Sequence, residues 1–341
     1  MARVALPPTS IFDPLIPEVT GMSALNPDKG KMAEAADLVH AAMTPTAQIA
    51  WPLLSARART EVWVKHENHL PTGAFKVRGG VIYMARLRKS EPGVTGVIAA
   101  TRGNHGQSVA FGAARHGLAA TIVVPEGNSR SKNAAMKAFG AELVEYGHDF
   151  QAALEHARDL AQERKLHFVQ SFHPWLIEGV SSYAFELFSA VADLDTVYVP
   201  IGLGSGICSV IAARDAFGLK TKVVGVVSAN APAYALSFKA GKAVSTNSAD
   251  TLADGMACRV PVDDAVAQIS KGADRIVEVT EDELRAAMRI TFDDIHNVAE
   301  GAGAAGLAAL LQEGAAKAGE KAAVILSGGN VDASLFREVL A

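Results

Sequence analysis

The chain has 341 residues, of which 49% are hydrophobic and 20% charged, the composition of a globular protein with one large domain or two closely associated ones. Its 36 acidic and 32 basic residues leave a net charge of -4, and no run of Lys or Arg is long enough to predict a nucleic-acid partner. The two cysteines, Cys208 and Cys258, stand far apart outside any CxxC or Cys/His pattern. This argues against a disulfide framework or a structural zinc site and predicts the reducing cytoplasm.

The N-terminal part is predicted to be an extended arm, rich in proline as far as Pro27, with too short an apolar stretch for a signal peptide or a membrane span. We therefore expect no membrane partner. A helix is predicted over 32–43, and from there strand-like runs alternate with helical patterns. The predicted strands cover 61–67, 94–100, 120–124, 142–146, 196–199, 223–227 and 322–326. The predicted helices cover 75–89, 106–116, 131–139, 150–165, 176–192, 207–218, 281–290 and 303–312. This alternation predicts βαβ units, parallel sheets and ligand sites at the carboxyl ends of strands.

Lys76 stands in the first turn of the predicted helix 75–89. The helix dipole is positive there and unpaired N–H groups favour anions, so a lysine costs stability unless its amine is used or neutralised. Condensation with a carbonyl is one such use, because lysine forms Schiff bases and pyridoxal phosphate is a common aldehyde cofactor held in this way. Taken alone, this stretch fits a chance surface lysine better.

A second stretch, residues 101–107 (TRGNHGQ), connects the predicted strand 94–100 to a helix. Its glycines permit close approach of the backbone to a ligand, and the helix start offers N–H groups to a carboxylate or phosphate. Asn104 also fits a simple helix cap, and His105 a packed or solvated ring. From the residues alone the two interpretations are equal.

Two further loops follow predicted strands. Residues 202–206 (GLGSG) present alternate glycines before a helix, which favours a phosphate site. A dinucleotide fingerprint would require GxGxxG and an acidic residue after the next strand, where Ser228 stands instead. Ser327, in Ser327-Gly328-Gly329-Asn330, follows the last predicted strand and can present its hydroxyl to a ligand, although a plain tight turn is the more frequent use of this motif.

Together these motifs resemble the serine/threonine dehydratase family of pyridoxal-phosphate enzymes, which have the tryptophan-synthase-β fold, PLP fold type II, and include serine racemase. The resemblance covers roughly 44–330 in the family's order. It is carried by residues 72–79 (TGAFKVRG), 103–107 (GNHGQ), 202–206, 251–255 (TLADG) and 327–330 (SGGN). It implies an α/β protein of two lobes, each a mainly parallel sheet flanked by helices, with the cofactor in the cleft between them. The large PLP-binding domain is expected over 1–90 and 176–341, and the small substrate-side domain over 91–175.

The resemblance also assigns roles to single residues. Lys76 resembles the lysine that holds pyridoxal 5'-phosphate and acts as the catalytic base, and Phe75 the residue beside the ring. Asn104 resembles the amide that bonds the ring's phenolic oxygen, and Ser327 the partner of the pyridine nitrogen. A neutral hydroxyl there makes the ring a weaker electron sink, which favours elimination over a long-lived carbanion. The resemblance places the phosphate in a cradle of Gly202, Gly204, Ser205 and Gly206.

The implied reaction is α,β-elimination from a β-hydroxy-α-amino acid of the L-threonine/L-serine type, giving a 2-oxo acid and ammonia. Lys76 removes the Cα proton, and the β-hydroxyl leaves with a proton supplied through the cofactor phosphate. The substrate carboxylate is expected on the helix start at 101–107. The substrate-binding candidates are Thr101, Arg102, Gly103 and His105.

Arg102 departs from the family, which usually has alanine or serine at this position, serine being the second acid/base of the racemases. Arginine stays protonated, so racemisation is less expected. A guanidinium beside the substrate and a surface ion pair explain Arg102 equally well. Val227 and Ala233 replace the acidic residues that bind a divalent ion in some relatives, so we expect no metal there. His173 and Trp175 fit either a substrate pocket or the core, and for Asp254 a cavity role and a structural one stay open.

The chain ends soon after Asn330, without room for the regulatory domain of biosynthetic threonine dehydratases, so a catabolic role is expected. The family suggests a homodimer acting on a small amino acid. Four alternatives stay open: a dehydratase for a bulkier or acidic substrate such as phenylserine or hydroxyaspartate, a serine racemase, a nucleotide-binding oxidoreductase, and a non-catalytic ligand-binding protein on the same fold.

Overall fold

The computed structural model describes residues 25–341, so the predicted proline-rich arm lies almost entirely outside the described part. The strands are β1 (Gln48–Ala50), β2 (Glu61–His66), β3 (Gly96–Ala100), β4 (Ala119–Val124), β5 (Glu142–Glu145), β6 (His167–Phe168), β7 (Thr196–Pro200), β8 (Lys222–Ser228), β9 (Arg275–Val279) and β10 (Lys321–Leu326). Every strand predicted from the sequence is present, with ends shifted by at most two residues.

The helices are α1 (Lys29–His40), α2 (Pro52–Ala58), α3 (Lys76–Ser90), α4 (Asn104–Arg115), α5 (Arg130–Ala138), α6 (Phe150–Glu163), α7 (Pro174–Ala190), α8 (Ser205–Ala216), α9 (Ala233–Ala240), α10 (Asp263–Gly272), α11 (Glu281–Ile295), α12 (Gly301–Glu313), α13 (Ala315–Ala318) and α14 (Ala333–Leu340). Within residues 25–341, no helix combines the length and the apolar character needed to cross a membrane.

The strands form two sheets. The larger has the order β1-β2-β10-β7-β8-β9 and is parallel except for β1, which pairs with β2 in the antiparallel direction. The smaller has the order β5-β4-β3-β6 and is parallel throughout. Parallel strands joined by helices are buried on both faces, which explains the continuous apolar runs of β7, β8 and β10. The α/β fold predicted from the sequence is confirmed, while the domain boundaries at 90 and 175 stay a prediction.

Alternate side chains of the large sheet enter two different cores. In β7, for example, Val197 and Val199 pack in one hydrophobic cluster and Tyr198 packs in another. This period of two is expected for a strand with a helical layer on each face.

The sequence did not predict three of the strands, β1, β6 and β9. Strands β1 and β6 are only two or three residues long, and β9 carries Arg275 and Glu278 at a sheet edge.

A group of buried charges anchors the start of α3. The Arg78 guanidinium donates to the Glu67 carboxylate at 2.6 Å and to the Glu186 carboxylate at 2.7 Å. Lys65, on β2, pairs with Glu186 at 2.5 Å, and the Thr46 hydroxyl donates to Glu67 at 2.6 Å. We call Lys65, Glu67, Arg78 and Glu186 the buried ion cluster. It joins β2, α3 and α7, and it fixes α3 two residues beyond Lys76.

Removal of Arg78 tests how strongly the buried ion cluster stabilises the fold. Arg78→Met leaves two buried carboxylates without their main partner, so we expect the free energy of unfolding to fall by about 3–5 kcal/mol. Urea unfolding followed by circular dichroism measures this change. The control is Lys239→Met, which breaks the exposed pair of Lys239 with Glu278 and should cost about 1 kcal/mol or less. Equal losses in the two variants would contradict a special role for the cluster.

Candidate active site

One cleft collects most of the motifs that the sequence singles out. Phe75 and Lys76 come from the start of α3, Asn104 from the start of α4, and Ser327 from the residue after β10. The complete lining consists of Phe75, Lys76, Asn104, Pro200, Gly202, Leu203, Gly204, Ser205, Gly206, Gly255, Met256, Glu300, Ala302 and Ser327. The cleft therefore lies at the carboxyl ends of parallel strands, where open α/β sheets bind ligands.

Lys76 is the first residue of α3, as predicted. The residue borders the cleft and is half-buried as a whole, but its amine is surrounded by protein atoms, and this loss of hydration lowers the pKa of Lys76. The negative charge of Glu300 acts in the opposite direction. The Lys76 Nζ lies 5.0 Å from the centre of the Phe75 ring, and the Phe75 N–H donates to the Ser327 carbonyl at 3.0 Å. A lysine with a lowered pKa is more readily available as a nucleophile or base than an exposed one.

The glycine loop before α8 is shaped by close backbone contacts. A Cβ on Gly202 would lie 2.3 Å from the Gly255 carbonyl oxygen, so no side chain fits there. Gly204 has a φ of +101° and allows the turn from which α8 begins at Ser205. The Tyr234 hydroxyl holds the loop by donating to the Leu203 carbonyl at 2.8 Å. The free N–H groups at the start of α8 thus face the cleft beside glycines that carry no side chains, an arrangement that suits a phosphate.

A directed series of hydrogen bonds orients the side chain of Asn104. Its Oδ1 accepts from the Asn330 Nδ2 at 2.8 Å, and Asn330 also donates to the Thr72 carbonyl at 2.8 Å. The Asn104 Nδ2 must then face the other way, and it donates to the Glu300 Oε1 at 2.8 Å. Because an amide nitrogen has two hydrogens, one remains for a ligand in the cleft.

Glu300 is a member of this site that the sequence reasoning missed. It precedes α12 at the capping position, but its side chain makes no cap and turns into the cleft. The residue is only 4% exposed, and burial together with the charge of Asp254 raises the pKa of Glu300 to about 7. The only signal in the sequence is an acidic residue before a helix rich in glycine and alanine. That pattern is typical of a plain helix start, so it does not single out Glu300.

Side chains at the N-terminus of α5, close to the small sheet, contact Asp254 and Asp332, which follow strands of the large sheet. Lys132 forms an ion pair with Asp254, next to Gly255. The stem of Lys132 packs beneath Gly103, where a Cβ would lie 2.6 Å from the Lys132 Cδ. In addition, the Ser129 hydroxyl donates to Asp332 at 2.7 Å. Asp254 thus lies at the border of the site and pairs with a lysine.

The residues that line the cleft do not include the four predicted substrate-binding residues, Thr101, Arg102, Gly103 and His105. Thr101 accepts from the Gly103 N–H at 3.0 Å, and Arg102 is exposed. Burial, with a further contribution from Lys76, lowers the pKa of His105 to about 4, so its ring is neutral. The binding roles of these four residues stay predictions.

His173 and Trp175 pack against Tyr83, with ring centres 5.0 and 5.3 Å from the Tyr83 ring. Neither is among the residues that line the cleft; both are half-buried, and Trp175 packs against the hydrophobic core beside the small sheet. A role of either residue in a substrate pocket stays an open alternative. Among residues 25–341 no group of three or more His, Cys, Asp or Glu side chains is placed to hold a metal ion.

The cleft suits pyridoxal phosphate on three counts. A lysine with a lowered pKa can condense with the aldehyde, the start of α8 can take the phosphate, and Asn104 has a hydrogen available for a ring oxygen. A model of the family described as pyridoxal-phosphate dependent enzymes matches residues 39–328. The chain therefore belongs to this family, and the predicted cofactor is confirmed.

Within this family, the chain is similar to enzymes that are named for the deamination of threonine. Over 289 residues the chain is 35% identical to the L-threonine ammonia-lyase of Thermotoga maritima, covering 84% of this chain and 72% of that one. It is 34% identical to the biosynthetic L-threonine dehydratase IlvA of Haemophilus influenzae, but spans only 56% of that protein's length against 84% of its own. Among solved structures, the processed form of threonine deaminase isoform 2 from Solanum lycopersicum superposes with a TM-score of 0.83 at 28% identity, covering 92% of this chain and 94% of that one.

Replacement of Gly202 tests the glycine loop. In Gly202→Ala the new methyl group collides with the Gly255 carbonyl, so the loop must shift, and we expect the purified protein to lose most of its bound pyridoxal phosphate. Visible absorbance per chain measures the cofactor content. The control is Gly93→Ala, since a Cβ on Gly93 has no neighbour within 4 Å, and it should bind as the wild type does. Full cofactor content in Gly202→Ala would contradict the proposed cradle.

Proposed function

We propose that this enzyme is a pyridoxal-phosphate-dependent ammonia-lyase, which converts a β-hydroxy-α-amino acid of the L-threonine/L-serine type to a 2-oxo acid and ammonia. The observation that carries the proposal is the Lys76 amine, whose pKa is lowered at the start of α3 and which shares a cleft with the glycine loop before α8. The resemblance to L-threonine ammonia-lyase from Thermotoga maritima supports the reaction type.

When bound, pyridoxal phosphate supplies an aldehyde that joins amino groups and a ring that withdraws electrons from the substrate's Cα. Lys76 would hold its aldehyde carbon, and the start of α8 its phosphate. Asn104 would donate to the ring oxygen and Ser327 would face the ring nitrogen, while Phe75 lies beside Lys76. The Ser327 hydroxyl is neutral and does not fix a proton on the ring nitrogen, which favours rapid elimination.

Lys76 is the base of the proposed reaction. Because burial lowers its pKa, the free amine is neutral over a wider pH range than an exposed lysine and can accept the proton from the substrate's Cα. The start of α4 would orient the substrate, since the unpaired N–H groups that follow Gly103 suit its carboxylate. Arg102 stays protonated and is therefore a poor second base, which supports elimination over racemisation.

We also propose that the enzyme works in the cytoplasm as a homodimer. Cys208 and Cys258 are both free and buried, in keeping with a reducing compartment. The dimer follows from the family resemblance, and light scattering of the purified protein tests it.

Lys76→Ala separates an enzyme from a non-catalytic binding protein. Loss of both the covalent attachment and the base should lower kcat by about 10³-fold or more for 2-oxo acid formed from serine or threonine. Borohydride reduction followed by peptide mass spectrometry should place the cofactor on Lys76 in the wild type and on no residue in the variant. Lys76→Arg keeps the charge and should be as inactive as Lys76→Ala. Turnover at the wild-type rate in either variant would refute the assignment.

An acidic substrate is the second candidate, because Arg102 is exposed two residues before α4 and has no ion-pair partner among residues 25–341. If Arg102 binds a side-chain carboxylate, Arg102→Ala should lower kcat/KM for β-hydroxyaspartate by about 10–100-fold and leave that for threonine within about twofold. Arg130→Ala is the control, since Arg130 is an exposed arginine at the start of α5. Equal effects of Arg102→Ala on the two substrates would exclude this role.

A further inference from the structure

We propose that Glu300 is a positioning residue whose charge acts across the cleft on the Lys76 nitrogen and thereby sets the pH range in which that nitrogen is unprotonated. The inference rests on the proposed function only in so far as the Lys76 nitrogen is the reactive group. It gives a role to a carboxylate that neither the motifs nor the family resemblance identified.

The first observation is the placement of the Glu300 carboxyl group. Its Oε1 accepts from Asn104, while its Oε2 is buried and has no hydrogen-bond partner among the described residues. A Cβ on Gly328 would lie 2.7 Å from Oε1 and one on Gly255 3.9 Å from it, so backbone without side chains lies on both sides. A buried carboxyl oxygen without a partner costs stability unless it carries a proton or faces a bound group.

The second observation is that Lys76 and Glu300 line the same cleft. Burial disfavours the charged form of each, which lowers the pKa of Lys76 and raises the pKa of Glu300 to about 7. Their opposite charges act against this, because each charge favours ionisation of the other. The protonation of each group therefore depends on the protonation of the other, and the two titrate as a coupled pair.

The charged groups around Glu300 have opposite effects on its proton. Asp254 raises the pKa of Glu300, whereas Lys132, Lys76 and the hydrogen bond from Asn104 lower it. The N-terminus of α12, which begins at Gly301, also favours the carboxylate. Since Asp254 and Lys132 form an ion pair with each other, removal of either exposes Glu300 to the other charge alone.

This arrangement makes Glu300→Gln a conservative test. The hydrogen-bond series from Thr72 through Asn330 fixes the Asn104 amide with its Nδ2 toward residue 300. The carbonyl oxygen of Gln can accept that bond in place of Oε1, so the variant removes the charge and the proton but keeps the shape.

The experiment is a pH titration of the enzyme loaded with pyridoxal phosphate, followed by the visible absorption band of the cofactor, which changes when its link to Lys76 loses a proton. We expect a transition in the wild type that is absent in Glu300→Gln and retained, at a shifted midpoint, in Glu300→Asp. The pH profile of kcat should follow the same pattern, with kcat in Glu300→Gln reduced by about 10²-fold. Glu155→Gln, an exposed change on α6, is the matched control and should titrate as the wild type does.

Variants of the two charged residues that act on Glu300 distinguish an electrostatic effect from a folding defect. Asp254→Asn should move the midpoint to lower pH and Lys132→Met should move it to higher pH, each by about one pH unit. A purely structural role of Glu300 predicts no such opposite shifts. An unchanged titration of Glu300→Gln, or shifts of the two charge variants in the same direction, would overturn the proposal. The titration needs only bound cofactor, so a protein that titrates as expected but forms no 2-oxo acid contradicts the proposed function alone.

Discussion

The loss of hydration around the Lys76 amine is the constraint on which this site depends. The amine lies at the positive end of α3, where both burial and the helix dipole oppose a proton. Such a position is unfavourable for a lysine unless the rest of the fold holds it there. The Ser327 carbonyl accepts from the Phe75 N–H, and the Ser108 hydroxyl donates to the Lys76 carbonyl at 2.6 Å. These contacts join three separate parts of the chain at the backbone of the first turn of α3.

Buried charged groups of this protein occur in two kinds of surroundings, one fully paired and one incompletely paired. In the buried ion cluster every charged group has a partner at short range, so Arg78 stays ionised and its role is to hold α3 in place. In the cleft the balance is incomplete, because one oxygen of Glu300 has no partner within the described structure. Full pairing stabilises a fold, whereas incomplete pairing leaves a group able to exchange a proton. The first turn of α3 contributes to both sites: Arg78 belongs to the buried ion cluster, and Lys76 lines the cleft.

Close backbone contacts give the cleft its shape. A Cβ on Gly303 of α12 would lie 2.1 Å from the Gly328 carbonyl oxygen, and one on Gly202 would lie 2.3 Å from that of Gly255. The loop after β7 therefore packs directly on the 251–255 stretch, and the loop after β10 packs directly on α12, with no side chain in between. Small residues at these positions allow this close packing, which brings the Glu300 carboxyl near Asn104.

Local patterns in the sequence were enough to predict the α/β fold, the lysine at the start of α3 and the glycine loop before α8. Each of these depends on residues close together in the chain, such as apolar periodicity, helix starts and turn glycines. Glu300 could not be predicted in this way, because nothing in residues 298–302 differs from an ordinary helix start. Its pKa depends on burial and on Asp254 and Lys132, which lie 46 and 168 positions away in the chain. Only the tertiary structure brings these charges together, and charge–charge effects act through distance in space rather than along the sequence.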